Sequence, residues 1–290
     1  MVDRKPITGE DDARVQRALA LAADAVGEAV GASGEAYLDH ARGTISILRS
    51  IDADTTTRIA AALCEPASLL PRESIDREFG ADTGRLVEAM RQIRRLHVLR
   101  QAGANAQAPK ETLRRMLLAM AADIRVVLLR LASRLQTLRF HASIRRPPDP
   151  TVSRETLDVL APLANRIGLW QLKWELEDLA FRFIEPETYR RLARDLEERR
   201  TEREAKVAAA VQHLRDALGA VGVPAEVSGR PKHIYSIWNK MRSKQRDFEE
   251  ISDLRGLRVI VDTVEQCYAA LDVVHSTWTP VPDEYDYYIS

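Results

Sequence analysis

Between Ser228 and Val261 the chain reads SGRPKHIYSIWNKMRSKQRDFEEISDLRGLRVIV, a stretch that holds the residue types from which a phosphate site is made. Lys232, Ser236 and Lys240 recur every fourth residue, so a helix would put them on one face, with Arg230 just ahead of it. Ile234, Ile237, Trp238 and Met241 take the i, i+3, i+4, i+7 places of a second, core-facing side. Pro231 is expected in the first helical turn, where its missing N–H would have had no partner. Free amides at such an N-terminus, flanked by Arg and Lys, suit phosphate oxygens. The β-branched run 254–262 is expected to be a buried strand, and Asp253 at its head is placed to hold Mg²⁺ beside those phosphates through hard oxygen coordination. On spacing alone the simpler account is a surface helix with solvated cations and an Asp that caps a turn, because lysines four apart are common on exposed faces.

The rest of the chain has to position that stretch. At 290 residues there is room for two domains, and 43 basic against 43 acidic side chains leave no global charge preference. That balance argues against a protein dominated by nucleic-acid binding, though not against a local basic patch. Cys64 and Cys267 form neither a disulfide framework nor a metal-binding spacing, which suits a reducing, cytoplasmic setting. The start MVDRKPITGEDD lacks the apolar stretch of a signal peptide, and no apolar run reaches membrane-spanning length, so no membrane is expected as a partner.

Helical periodicity covers 12–30, 37–51, 55–64 and 82–96. The cleanest case is 110–139, where Leu113, Leu117, Met120, Ile124, Val127, Leu131, Leu135 and Leu138 step by three and four and predict a central core helix. After a proline-rich loop at 141–150, the segment 151–169 restarts a helix rich in Leu. Trp170 and Trp174 are expected to pack in a core or domain interface rather than to stack bases. The segment 187–219 mixes acids and bases at i, i+4 and reads as a solvent-exposed connector helix. Gly219, Gly222 and Pro224 end it, 225–228 forms a short strand, and 267–275 is helical again. The expected organisation is a helical domain over 1–186, a connector over 187–222 and a second domain begun over 223–290 in β-α-β-α order.

The motifs SGRPKHIYSIWNKM, DLRGLRVIV, CYAALDVVH and DEYDYYIS, in this order and at close spacing, resemble the synthetase domain of the RelA/SpoT family. Members transfer pyrophosphate from ATP to the 3′ oxygen of GTP or GDP to make (p)ppGpp. The resemblance implies a mainly α chain, with a helical HD-like domain followed by the start of an α+β nucleotidyltransferase-like synthetase domain. It also implies that Arg230 packs on adenine, that Lys232 and Lys240 bind phosphates, that His233 and Ser236 support the pocket, and that Asp253 binds the catalytic Mg²⁺. Transfer of this kind asks chiefly for positioning and charge neutralisation. DEYDYYIS resembles the acidic Glu-x-Asp-Asp motif of synthetase-only members: Glu284 and Asp286 match, and Tyr287 stands where the last Asp belongs.

Upstream, GEAYLDHARGTISILRS, AAALCEPASLL and DIRVVLLRLASRLQTLR resemble the family's HD-type hydrolase domain, whose active members bind a metal to remove the 3′ pyrophosphate. His40 stands at the first ligand position. Glu65 and Pro66 replace the His-Asp pair, Leu69 and Leu70 replace the following acidic pair, Ser133 replaces the metal-binding Asp and Thr137 an Asn. One imidazole cannot hold a catalytic ion in place of several ligands. The resemblance thus implies a lost hydrolase, no hydrolase metal, a hydrogen-bonded His40, and a domain kept as a scaffold that regulates the synthetase through 187–219. His97, His141 and His213 show no partner pattern.

In the family, the acceptor-stacking aromatic and a second carboxylate come after the point where this chain stops at Ser290. The chain alone is therefore expected to be inactive or nearly so, and the ribosome- and tRNA-engaging region of long members is not part of it. An alternative is a non-catalytic regulatory protein that retains part of an ATP site. RNA binding by the basic helix is the weaker alternative, since Tyr235 and Trp238 are not interleaved with cations along an extended groove.

Overall fold

A computed structural model describes residues 9–64, 70–101, 123–198, 200–231, 233–245, 247–248 and 255–279. The chain divides into two compact units, Met1–Pro186 and Glu187–Ser290. The elements of the first, among the described residues, are helices: α1 (Gly9–Val26), α2 (Tyr37–Ser50), α3 (Thr55–Cys64), α4 (Arg72–Phe79), α5 (Ala81–Gln101), α6 (Ile124–Ser143), α7 (Pro150–Glu155), a π-helical turn at Thr156–Leu160, α8 (Ala161–Arg166) and α9 (Trp170–Ile184). The fold is mainly α.

Among the described residues, helix α3 is the most completely enclosed element of this unit. Every residue from Thr57 to Cys64 is buried, and the run Ala60, Ala61, Ala62 lets α1, α2 and α5 pack on it from several sides. The central core helix was expected at 110–139; of that stretch 102–122 lies outside the described residues, while α6 is indeed a core helix carrying buried Val127, Leu131, Leu135 and Leu138. The expected helix at 55–64 is present with the same bounds, Thr55–Cys64.

The segment 151–169, expected as one helix, is interrupted by the π-turn. The carbonyl of Val152 receives the Thr156 N–H, the Thr156 hydroxyl at 2.7 Å and Arg134 Nη1 at 2.6 Å. Three donors crowd one acceptor, and the helix widens immediately after it. Trp170 is 46 % exposed, so core packing fails for it; its ring lies 6.4 Å from that of Trp174.

Arg125 ties the start of α6 to α5 and to its own N-cap. Its guanidinium meets Asp82 at 2.7 and 3.0 Å, Asp123 at 2.5 Å and Asp54 at 3.5 Å. These hydrogen bonds hold the carboxyls of Asp82 and Asp123 below their ordinary range. A depressed carboxyl pKa stabilises the fold above the unfolded value, and the effect is lost as pH falls through the folded value. Arg125→Met should therefore lower Tm by about 2–4 °C at pH 7, and thermal melts should show the gap to the unaltered protein closing as pH is taken below about 4. A gap independent of pH would mean that Arg125 acts only by packing.

The second unit contains α10 (Pro186–Glu198), α11 (Arg200–Ala220), β1 (Glu226–Pro231), α12 (Ile234–Lys244), β2 (Arg255–Ile260) and α13 (Val264–Thr277). β1 and β2 pair antiparallel, from Glu226 opposite Ile260 to Pro231 opposite Arg255. Val211, Leu214 and Leu218 of α11, Val227 of β1, and Ala270 and Val273 of α13 form the core. The expected single, solvent-exposed connector is thus corrected: it is two helices, and the second supplies half of this core, because an apolar edge persists within its charged sequence.

Pro231 is not in a first helical turn. It is the last rung of the β1–β2 ladder, a strand end where a missing N–H costs little, and α12 begins only after an extended His233 (φ −70°, ψ 147°). Nor is β2 buried on both sides. With one strand beside it among the described residues, it alternates, Leu257 and Val259 packing on the core while Ile260 is 44 % exposed. Helix α13 starts before the expected Cys267, because Thr263 and Gln266 form a reciprocal capping box. Among the described residues, no helix is long and apolar enough to cross a membrane.

Candidate functional site

Three separate elements deliver a buried polar cluster to the middle of the helical unit. Helix α2 places His40 and α6 places Ser133, and packing of α2 on α6 brings them together. The turn between α1 and α2 adds Glu35; it is closed by the Val30–Ala36 bridge, with Gly34 at φ 82° where a side chain would be strained. His40 Nδ1 lies 2.7 Å from Glu35 Oε2 and His40 Nε2 lies 2.9 Å from Ser133 Oγ, across 93 residues of sequence. Gln136 Nε2 donates to the other carboxylate oxygen, Glu35 Oε1, at 2.5 Å. Glu35, His40 and Ser133 are 4 %, 8 % and 9 % exposed.

A carboxylate only accepts, so Nδ1 of His40 carries a proton and donates it to Glu35. In the neutral ring Nε2 is then an acceptor, and the Ser133 hydroxyl donates to it. Gly43 makes room for the amide that braces Glu35: a Cβ there would stand 2.1 Å from Gln136 Oε1. Thr137, at the position of the expected Asn, donates its hydroxyl to the Ser133 carbonyl at 3.0 Å, and Leu70 packs against the core. Glu65, Pro66 and Leu69 lie outside the described residues. Among those described, no three His, Cys, Asp or Glu side chains converge as a metal set would.

His40 and Ser133 were legible in the sequence and the fold unites them. Glu35 and Gln136 were missed. Gln136 follows Ser133 by three positions, hence on the same helical face, which was a usable signal; Glu35 lies in a turn, where no periodicity points to a partner. Of the other histidines, His141 Nδ1 lies 3.1 Å from the Arg146 carbonyl and the ring of His213 packs edge-on against Trp278.

In the second unit, Ser236 and Lys240 sit one turn apart on α12, both partly buried. Lys240 borders a surface hollow with Asn239, Arg242 and Ser243. The Arg242 guanidinium lies 4.7 Å over the Trp238 ring, whose neighbour Tyr235 is 5.6 Å away. Ile237 of the same helix is fully buried. The backbone of Arg230 pairs with Gly256 at the end of the ladder. Lys232, Asp253, Glu284, Asp286 and Tyr287 lie outside the described residues, so the structure unites only Ser236 and Lys240 of the expected synthetase set.

Comparison with known proteins follows the same division. The HD-domain family matches residues 18–170, and the region found in RelA/SpoT proteins matches 229–290. A GTP pyrophosphokinase of Photobacterium angustum is 38 % identical over 282 residues, covering 95 % of this chain and 37 % of that protein. A probable guanosine-3′,5′-bis(diphosphate) 3′-pyrophosphohydrolase of Synechocystis is 37 % identical, covering 94 % of this chain and 36 % of that one, and the Escherichia coli GTP pyrophosphokinase is 38 % identical, covering 85 % and 34 %. The chain thus spans about a third of the length of these relatives. Among solved structures, a metazoan ortholog of SpoT described as hydrolysing ppGpp aligns with TM-score 0.40 and 19 % identity over 59 % of this chain and 94 % of that one. With an HD-domain match over more than half its length and the RelA/SpoT region after it, the chain belongs to the RelA/SpoT family.

Proposed function

We propose that the protein carrying this chain transfers pyrophosphate from ATP to the 3′ oxygen of GTP or GDP, and that its HD unit no longer removes it. The observation that carries the first half is the match of 229–290 to the RelA/SpoT region, within which Arg230, Lys232, Ser236, Lys240 and Asp253 keep the motif's order. Arg230 would pack on adenine, Lys232 and Lys240 would neutralise phosphate charge, and Ser236 would support the pocket. Asp253 would hold Mg²⁺, which supplies further charge neutralisation at the phosphates. The acidic residues Glu284 and Asp286 fit a member that synthesises without hydrolysing.

The second half is supported by the buried cluster. A hydrolase metal needs an imidazole lone pair and further anionic or imidazole donors. Here the Nε2 lone pair of His40 faces the Ser133 hydroxyl at 2.9 Å and Nδ1 is committed to Glu35. Together with the lack of a converging His, Cys, Asp or Glu set among the described residues, this arrangement supports the reading that the unit holds no hydrolase metal.

Two assays test the reading. In the first, the chain replaces the matching region of the Escherichia coli relative, and the chimera is given labelled ATP, Mg²⁺ and GTP or GDP. It should make (p)ppGpp, and Lys240→Ala or Asp253→Asn should lower the rate about 10²–10³-fold; an inert chimera beside an active relative would overturn the assignment. The 290 residues by themselves are proposed to turn over little or nothing. In the second assay that chain is incubated with ppGpp and Mn²⁺ and should leave it intact; release of pyrophosphate would restore the hydrolase.

A further inference from the structure

We propose that Ser133 is an activated nucleophile, the head of a Ser133–His40–Glu35 relay that opens small carboxylic esters without a metal. The inference is independent of the pyrophosphate reading, since it concerns only the helical unit. Its basis is the geometry of the hydrogen bonds. Ser133 Oγ stands 2.9 Å from His40 Nε2, His40 Nδ1 stands 2.7 Å from Glu35 Oε2, and Gln136 braces the remaining carboxylate oxygen at 2.5 Å. A nucleophile, a base within hydrogen-bond reach and an acid that orients the base are the three parts such chemistry requires, whatever their order in the chain.

A serine inside a helix ordinarily satisfies its hydroxyl on the carbonyl one turn back. Thr137, in the next turn of α6, does so, donating to Ser133 O at 3.0 Å. Ser133 instead turns its hydroxyl to an imidazole contributed by another helix. The three residues come from a turn, α2 and α6, so the relay is a product of tertiary packing. Burial of all three strengthens each electrostatic contact. One turn after His40 on the same side of α2, Thr44 is 3 % exposed and its hydroxyl has no hydrogen-bond partner. Ser133 itself is 9 % exposed, which restricts the substrate to small esters.

In the reaction, Ser133 Oγ bonds to the ester carbonyl carbon while its proton passes to His40 Nε2, and Glu35 steadies the imidazolium through Nδ1. The bond from that carbon to the leaving oxygen breaks as the same proton passes to the alcohol. Water then attacks the acyl-serine, giving its proton to Nε2. That proton returns to Ser133 Oγ as the acid departs. His40 is the catalytic base; Glu35 and Gln136 are positioning residues.

The test treats the 290-residue chain with a small fluorophosphonate and with p-nitrophenyl acetate. The fluorophosphonate should add its mass to the peptide containing Ser133, and Ser133→Ala should abolish both the label and the release of p-nitrophenol. His40→Gln should slow labelling by about 10²–10⁴-fold, whereas Glu35→Gln should slow it less and shift its pH midpoint. Circular dichroism melts show which variants are folded. If His40→Gln does not fold, the unaltered chain decides: labelling should rise with pH through a single step, and a flat profile overturns the proposal. No label at Ser133, or equal rates in the folded His40→Gln variant, also overturns it and leaves the cluster as a brace between helices.

Discussion

Gly229→Ala should destabilise the second unit by about 1–3 kcal/mol, the usual cost of overpacking. A Cβ at this position would lie 2.3 Å from Val207 Cγ1 of α11, far inside contact distance. The side chain it meets is short, branched and stiff at χ1, and it packs against the core of this unit, so it has little room to yield. The strand must then lift from the helix. Among the described residues that core has six buried side chains, so the loss is a large fraction of what holds the unit together. The same strand carries Arg230, and lifting it would displace the end of the β1–β2 ladder. Urea denaturation followed at Trp238 and Trp278 measures the effect. The double variant Val207→Ala, Gly229→Ala should recover most of the lost stability, because the two sites share one contact. A stable single variant, or no recovery in the double, would show that the space argument is wrong.

Arg134→Met should cost about 3 kcal/mol in the helical unit, at the lower end for breaking one side of a buried ion pair. Arg134 is buried, and its guanidinium meets Glu155, Val152 O and, at 3.3 Å, Thr156 Oγ1. Burial pushes its pKa down to about 10, so the fold carries this charge at a cost that the pairing offsets. Met fills much of the same volume but takes from the Glu155 carboxylate its buried guanidinium partner, while Arg130 stays at 3.4 Å. Arg134→Met with Glu155→Met should return to within about 1 kcal/mol of the starting stability, since replacing both partners removes the unpaired charge. The single change also withdraws one of the donors crowding Val152 O. Faster amide exchange confined to 156–160 would show the π-turn relaxing, whereas unchanged stability in Arg134→Met would mean that the pair contributes nothing.

Much of the organisation was present in local sequence. Apolar steps of three and four located α1, α2, α3 and α5, since a helix that packs by one side must repeat its apolar residues near that period. The β-α-β-α order of 226–277 followed from a β-branched run and from turn residues. The family resemblance rested on motifs contiguous in the chain, and His40 and Ser133 could be marked as ligand positions before their proximity was known. Pro231 shows where local rules stop: a proline suits a helix start and a strand end equally, and only the pairing with Arg255 decides between them.

What tertiary structure alone decided is which polar groups meet. Gln136 and Glu35 are 101 residues apart, and no periodicity connects a turn residue to a helix face. Nothing in local sequence sets Arg134 apart from the other arginines of α6, yet packing buries it and brings it to Val152 O, where the turn at 156–160 opens. The reason is common to these cases. Apolar patterning reports which face of an element leaves water, because burial energy is proportional to area and indifferent to partner. Hydrogen bonds and ion pairs depend on distance and direction, and those are set only once the elements are packed.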